Sequence, residues 1–355
     1  MKKSNLATAG VFAVAASVML SGCAFGGGGS NGDGQSDGPV EITFQSLAYQ
    51  DSTIAATEEI VAQWNQENPD ITVKLTQGSW DNVHDQLVTQ FQGGTAPDVI
   101  HDESSDILGF AAQGYLADLS PYLSDDVKNA VSDDVWETVT TDDKIVAAPT
   151  LLQTYVVYAN FVISSHCFPH IGWGLKQPTA AIMNTALGFD GTFFEGGGAD
   201  ATISVGDPEL AVAEHIHSMA YTDGSLDPVS LTQSGSDVLP GFLGGKYAMY
   251  IGGNFLAQQI TEAAPEDFNW TVLPPLAGSA GPIQAANPQT MSVAAESEHI
   301  EQSAKFIDFF MGAENQAKLA QGDWLIPASS DARAVVAAVT FSPQARRNTD
   351  GPVRR

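Results

Sequence analysis

Apolar residues alternate with polar ones at the start of the longest patterned region: Val40, Ile42 and Phe44 interleave with Glu41, Thr43 and Gln45. That period of two predicts a strand with one buried face. The spacing of Ile54, Val61 and Trp64 then fits one face of a helix, with Ser52 or Thr53 as its cap and Asn68-Pro69 as its stop. Ile71, Val73 and Leu75 alternate again as a second strand. Ser79 is the expected cap of a second helix through Val83, Leu87, Val88 and Phe91, closed by Gly93-Gly94. Pro97 to Ile100 reads as a short buried strand, and a helix is expected over residues 106–119. The order strand-helix, three times over, predicts a mainly parallel sheet covered on both faces.

Farther on, residues 144–160 are apolar and β-branched around Gln153, Thr154 and Tyr155 and read as a crossover into a second lobe. Helices are expected over 208–221, 254–260, 300–310 and 314–320, and strands over 246–251 and 270–273. No internal repeat is seen. In open sheets of this kind ligands sit beyond the carboxyl ends of the strands, so the loops 47–51, 77–80 and 101–105 are the places to look for a site.

The ends of the chain differ from its middle. Lys2 and Lys3 precede an apolar run over 11–20 and then Leu20-Ser21-Gly22-Cys23, the layout of a secretory signal over residues 1–22. Its ending resembles a bacterial lipobox, and that resemblance implies a lipid on Cys23. Residues 23–39, rich in Gly, Ser, Asn and Asp, read as a flexible tether, and the later sequence has no apolar run of the roughly 20 residues that a spanning helix needs. Four of the five arginines fall within 346–355, in a tail over 341–355 expected to be irregular.

The formal net charge of −28 repels nucleic acid and anionic lipid at long range, which argues against both as partners beyond the lipid anchor. With Cys23 used as an anchor, Cys167 has no intrachain partner. His166, Cys167 and His170 cluster, and His215 and His217 lie two apart, but two residues apart on a helix face different ways and a zinc site needs three or four convergent ligands. No metal and no cofactor is expected. Asp125-Asp126, Asp133-Asp134 and Asp142-Asp143 read as solvated surface, and Gly-x-Ser-x-Gly, phosphate-loop and His-Glu-x-x-His motifs are lacking. A glycoside hydrolase, a binder of non-sugar solutes and a surface protein with a protein partner stand as rival readings.

Several stretches in order resemble the extracellular solute-binding proteins of ABC sugar importers, of the maltodextrin-binding type. They are residues 91–99 (FQGGTAPDV), 112–119 (AQGYLADL), Ala147-Ala148-Pro149 leading to Val157-Tyr158-Ala159-Asn160, residues 242–255, and Asp323-Trp324-Leu325-Ile326-Pro327. The resemblance covers about 40–332 and implies a two-lobe, periplasmic-binding-protein-like α/β fold of type II. It implies lobes joined by a hinge (40–148 with 275–312; 149–274 with 313–340), a monomer that is not an enzyme, a sugar in the cleft, and transmembrane transporter subunits as partners.

Sugar rings stack on aromatics and their hydroxyls need carboxylates or amides. The candidates are therefore Trp80, Tyr155, Trp173, Phe255 and Trp324 for stacking, and Gln50, Asp51, Glu103, Gln153, Asn254 and Gln289 for hydroxyls. The chain departs from the family pattern over 161–171 and after Ile326-Pro327, which suggests a deletion or frame disturbance and an incomplete second lobe.

Overall fold

The computed structural model describes residues 38–160, 170–176, 179–195 and 202–340. Residues 161–169 of the segment that departs from the family pattern, with His166 and Cys167, fall outside these residues, as do the signal and Cys23, nearly all of the tether, and the arginine-rich tail. In chain order the longer elements begin with β1 (Val40–Ser46), α1 (Asp51–Glu67), β2 (Ile71–Gln77), α2 (Val83–Gly93), β3 (Val99–Glu103) and α3 (Ser104–Ala112). The crossover follows as β4 (Ala148–Gln153) and β5 (Tyr155–Asn160), then β6 (His170–Trp173), α4 (Thr179–Leu187), α5 (Asp207–Tyr221), α6 (Gly235–Leu243), β7 (Tyr247–Gly253), α7 (Leu256–Ala263) and β8 (Trp270–Val272). The chain then runs through β9 (Asn287–Val293), α8 (Ile300–Phe310), α9 (Ala313–Asp323), β10 (Ile326–Pro327) and α10 (Ser330–Thr340). Among the described residues no helix is long and apolar enough to cross a membrane.

The alternation of Val40, Ile42 and Phe44 becomes β1, which runs parallel to both β2 and β3. This sheet has six strands in the order β10-β4-β9-β3-β1-β2. The parallel half is the one expected, but β9 pairs antiparallel with β3 and β4, and β10 antiparallel with β4, so the sheet is mixed. Phe44, Trp64, Phe306 and Phe310 meet edge-on at centroid distances of 5.5 to 5.8 Å between sheet and helices, the arrangement that ring quadrupoles favour.

Three helix boundaries move from their expected places. The α1 and α2 caps are Gln50 and Asn82 rather than Ser52 or Thr53 and Ser79. The helix expected over 106–119 stops at Ala112, because Gly114 turns at φ 78° and the following Leu116 bridges to Ala294 beside β9. Gly94, at φ 63°, caps α2 as the Gly-Gly pair implied, its N–H reaching the carbonyls of Gln90 and Phe91.

A second sheet, β8-β5-β7-β6, builds the other lobe. Tyr158, Phe242, Tyr247 and Tyr250 fill one of its faces and Val157, Trp173, Leu226 and Ile251 the other. Pro208 lies in the first turn of α5, and Glu209 folds back to accept from the Gly206 N–H at 2.8 Å and the Thr192 N–H at 2.8 Å, closing the helix start.

The segment 313–340, assigned to the second lobe on sequence grounds, packs on the first instead. Ser52 Oγ donates to the Gly322 carbonyl at 2.8 Å, β10 extends the first sheet, and Leu319, Ala320, Leu325 and Ala328 join the core of Phe44 and Phe306. The amphipathic face of α9 thus found its partner in α1. The strand at 149–153 likewise belongs to the first sheet, so the crossing point is Thr154.

Candidate functional site

The carboxyl ends of β1, β2 and β3 lie along one edge of the first sheet because the three strands are parallel. Register brings the rest to the same edge: Gln289 pairs with Glu103 across β9 and β3, and Asn287 with Gln153 across β9 and β4. Above this edge, α7 of the second lobe supplies the opposing wall. A cleft of about 370 Å³ results, lined by Tyr49, Gln50, Trp80, Asp81, Glu103, Gln153, Gln289, Asp323 and Leu325 from the first lobe and by Phe255 and Gln259 from the second.

The floor is a chain of hydrogen bonds. Leu47 N–H donates to His101 Nδ1 at 3.0 Å, which fixes the ring proton on Nε2, and Nε2 donates to Gln289 Oε1 at 3.3 Å. The Gln289 amide nitrogen is thereby left for Asp323, whose Oδ1 also accepts from Gln50 Nε2 at 3.1 Å. Trp80 stands edge-on to the His101 ring, with centroids 5.5 Å apart and planes at 82°. Glu103 is braced by Ser105 Oγ and Asn287 Nδ2, each at 2.8 Å.

Burial governs the ionisation of these groups. It lowers His101 from 6.5 to about 4, against the smaller opposing effect of the Gln289 hydrogen bond. It raises Asp323 above the usual carboxylate range, while the Gln289 and Gln50 side chains pull it back. On the opposite face of β3, burial lifts Asp102 to about 7, and its Oδ2 has no partner among the described residues. Behind the cleft wall, a neutral His101 thus supports the Gln289 amide, which in turn meets Asp323.

Gln50, Trp80, Glu103, Gln153, Phe255 and Gln289 line this cleft together. The other candidates sit elsewhere. Asp51 opens α1 and is exposed; it does not line the cleft. Tyr155 packs with the second-lobe cluster around Val157, near enough to Glu103 for that charge to add to the burial that raises its phenol.

Trp173 is core, 3% exposed on β6, because its strand faces α4 and α5 rather than the cleft. Asn254 is spent on the backbone: its Oδ1 accepts from Thr154 N–H at 3.0 Å and its Nδ2 donates to the Leu152 carbonyl at 3.3 Å. Trp324 caps α9 in the left-handed region at φ 56° and is 44% exposed, flanked by the lining residues Asp323 and Leu325 without lining the wall itself.

Sequence reasoning missed Tyr49, Asp81, Gln259, Asp323 and Leu325. Tyr49 lies in a loop singled out for its position after β1, Asp81 directly follows another, and Asp323 stands in one of the family stretches, so a local signal existed for all three. Gln259 had none, since its place depends on how the lobes meet.

Residues 49–317 match the model of the bacterial extracellular solute-binding proteins. This chain belongs to that family. Its members bind solutes rather than transform them, and the family is extracytoplasmic by description. The chain is 39% identical over 344 residues to a Streptomyces antibioticus protein described as an uncharacterized lipoprotein in the oleD 5′ region, covering 89% of this chain and 75% of that one.

Among solved structures, the sugar-binding protein MalE from Xanthomonas citri superposes with a TM-score of 0.71 at 20% identity, covering 88% of this chain and 85% of the other. The GacH receptor of Streptomyces glaucescens, described both unliganded and with acarbose, superposes at 0.69 with 19% identity, covering 87% and 84%. These similarities establish the two-lobe fold of the maltose-binding-protein type. His215 and His217 of α5 turn to different neighbours, Phe189 and Tyr221, and among the described residues no cluster of three or more metal-ligating side chains occurs.

Proposed function

We propose that this protein is the lipid-anchored substrate-binding subunit of an ABC importer and captures a sugar or oligosaccharide in the interlobe cleft for delivery to the transmembrane subunits. The observation that carries the reading is the composition of the cleft wall: Tyr49, Trp80 and Phe255 offer ring faces, while four glutamine amides and the carboxylates of Asp81, Glu103 and Asp323 offer both donors and acceptors, with no Lys or Arg among them. A sugar needs both, an apolar face for its C–H groups and paired polar groups for its hydroxyls. An anionic solute would find no counter-charge there. Similarity to a Streptomyces lipoprotein and to proteins described with maltose or acarbose supports the anchor at Cys23 and the substrate class.

Capture follows from the two crossings between lobes, at Thr154 and over 273–286. Gln258 Nε2 of α7 already meets Ser52 Oγ of α1 at 3.3 Å across the cleft, so closure around a ligand would add contacts on that side. A thermal-shift series tests the reading: maltotriose or a related sugar at 100 times its dissociation constant stabilises the fold by about 2.7 kcal/mol. No shift with any mono- or oligosaccharide, but a shift with a polyamine, would assign the acidic cleft to a cationic solute instead.

The floor adds a pH dependence. His101 accepts from Leu47 N–H only while neutral, and its folded value of about 4 lies below the ordinary 6.5. Its contribution to stability is therefore present above about pH 6.5 and is lost progressively as pH falls through about 4. Calorimetric titration with the bound sugar should give an affinity that declines toward about pH 4, with protonation of Asp323, raised by burial, adding to the part owed to His101. H101Q, which cannot protonate, should remove the part of the decline owed to the ring; an unchanged profile in that variant would show that His101 does not set it.

A further inference from the structure

The second lobe holds a cavity of about 270 Å³ that shares no lining residue with the interlobe cleft. Its wall is built from one face of the second sheet, the helices α4 and α5 and the segment 276–284, with Val157, Trp173, Val212, Ile216, Met249 and Ile251 as its apolar surface. Protein interiors leave few voids larger than a water molecule, and this space exceeds the roughly 30 Å³ share of one water many times over. Among the described residues no Lys, Arg, Asp or Glu lines it.

Its polar groups are partly committed, and the His215 ring, which packs on Phe189, lines it as well. Asn184 Oδ1 accepts from Ala285 N–H at 2.8 Å, Gln284 Nε2 donates to the Tyr155 carbonyl at 2.6 Å, and Thr185 Oγ1 donates to the Ala181 carbonyl at 2.8 Å. A polyhydroxylated solute would thus lose more hydrogen bonds to water than the wall can return. Leu276 and Ile283, also lining residues, remain 53% and 44% exposed and mark the mouth. One donor is unmet: the indole N–H of Trp173 is buried with no partner among the described residues.

We propose that this cavity is a second binding site, for a small uncharged and mainly apolar molecule, such as an aryl or short aliphatic alcohol or ketone. Apolar cavities of about 150 Å³ are known to stay dry and admit benzene. An occupant here would cover the two exposed aliphatic side chains. The assignment is independent of the sugar reading, since the two cavities share no side chain.

The test is a fluorescence titration of the intact chain with the neutral probe N-phenyl-1-naphthylamine. One saturable equivalent is expected, displaced by 1-hexanol and not by maltotriose. Two variants locate it: Ala277→Trp, at an exposed position of the mouth, and Met219→Trp, which narrows the cavity from α5. Each folded variant, checked by circular dichroism and thermal midpoint, should bind the probe at least about tenfold more weakly. No saturable binding, more than one equivalent, or undiminished binding in both variants would overturn the proposal.

Discussion

Replacing Trp80 with alanine is expected to weaken sugar binding by about 2 kcal/mol, or roughly thirtyfold in Kd, while the protein stays folded. The ring is held before any ligand arrives. His101 meets it edge-on at 5.5 Å, and one side of it packs against the first-lobe core, so little side-chain entropy is lost on binding. Because His101 is itself fixed by Leu47 and Gln289, Trp80 and Gln289 share a single support.

Trp80→Phe keeps an aromatic face of smaller area and should retain most of the affinity. Isothermal titration with maltotriose, or with whichever sugar the thermal screen selects, reads both variants. Equal affinity in wild type and Trp80→Ala would remove stacking on this ring from the binding model, even if the sugar still binds.

Much of the first lobe was legible because its signals are local. Alternation set β1 and β2, a Gly-Gly pair closed α2, and the strand-helix order implied parallel strands whose carboxyl ends share one edge; that edge pointed to the loops that hold Trp80, Glu103 and Gln50, and the family resemblance singled out the residues within them. What failed depended on distant partners. The amphipathic stretch after 313 fits either lobe by its own pattern, and only its match to α1 and to the free edge of β4 decides for the first. Trp173 and Asn254 were misplaced for a related reason: an aromatic or an amide near a crossing can face a cleft or satisfy the backbone, and spacing does not distinguish the two. Asp323 was overlooked beside the more conspicuous Trp324, although the shorter side chain is the one that reaches Gln50.

Asn254 gives the sharpest test of that distinction. Its side chain accepts from Thr154 N–H and donates to the Leu152 carbonyl, and its own N–H donates to the Thr154 carbonyl at 2.9 Å. Thr154 is the single residue between β4 and β5, so these bonds tie the start of α7 to the point where the chain passes between lobes. The surroundings give water little access, with Asn254 and Thr154 each 9% exposed. Tyr158 Oη adds a bond to the Gly253 carbonyl at 2.8 Å just before it.

Asn254→Ala would strand one donor and one acceptor at once, and at about 1–3 kcal/mol for each buried unpaired group the expected loss is about 3 kcal/mol. In a chain of this size that lowers Tm by roughly 5 °C or more. Differential scanning calorimetry without sugar reads the effect directly. A ligand contact would behave in the opposite way, leaving Tm of the free protein near its wild-type value and weakening sugar binding; that result would return Asn254 to the cleft and detach it from the hinge.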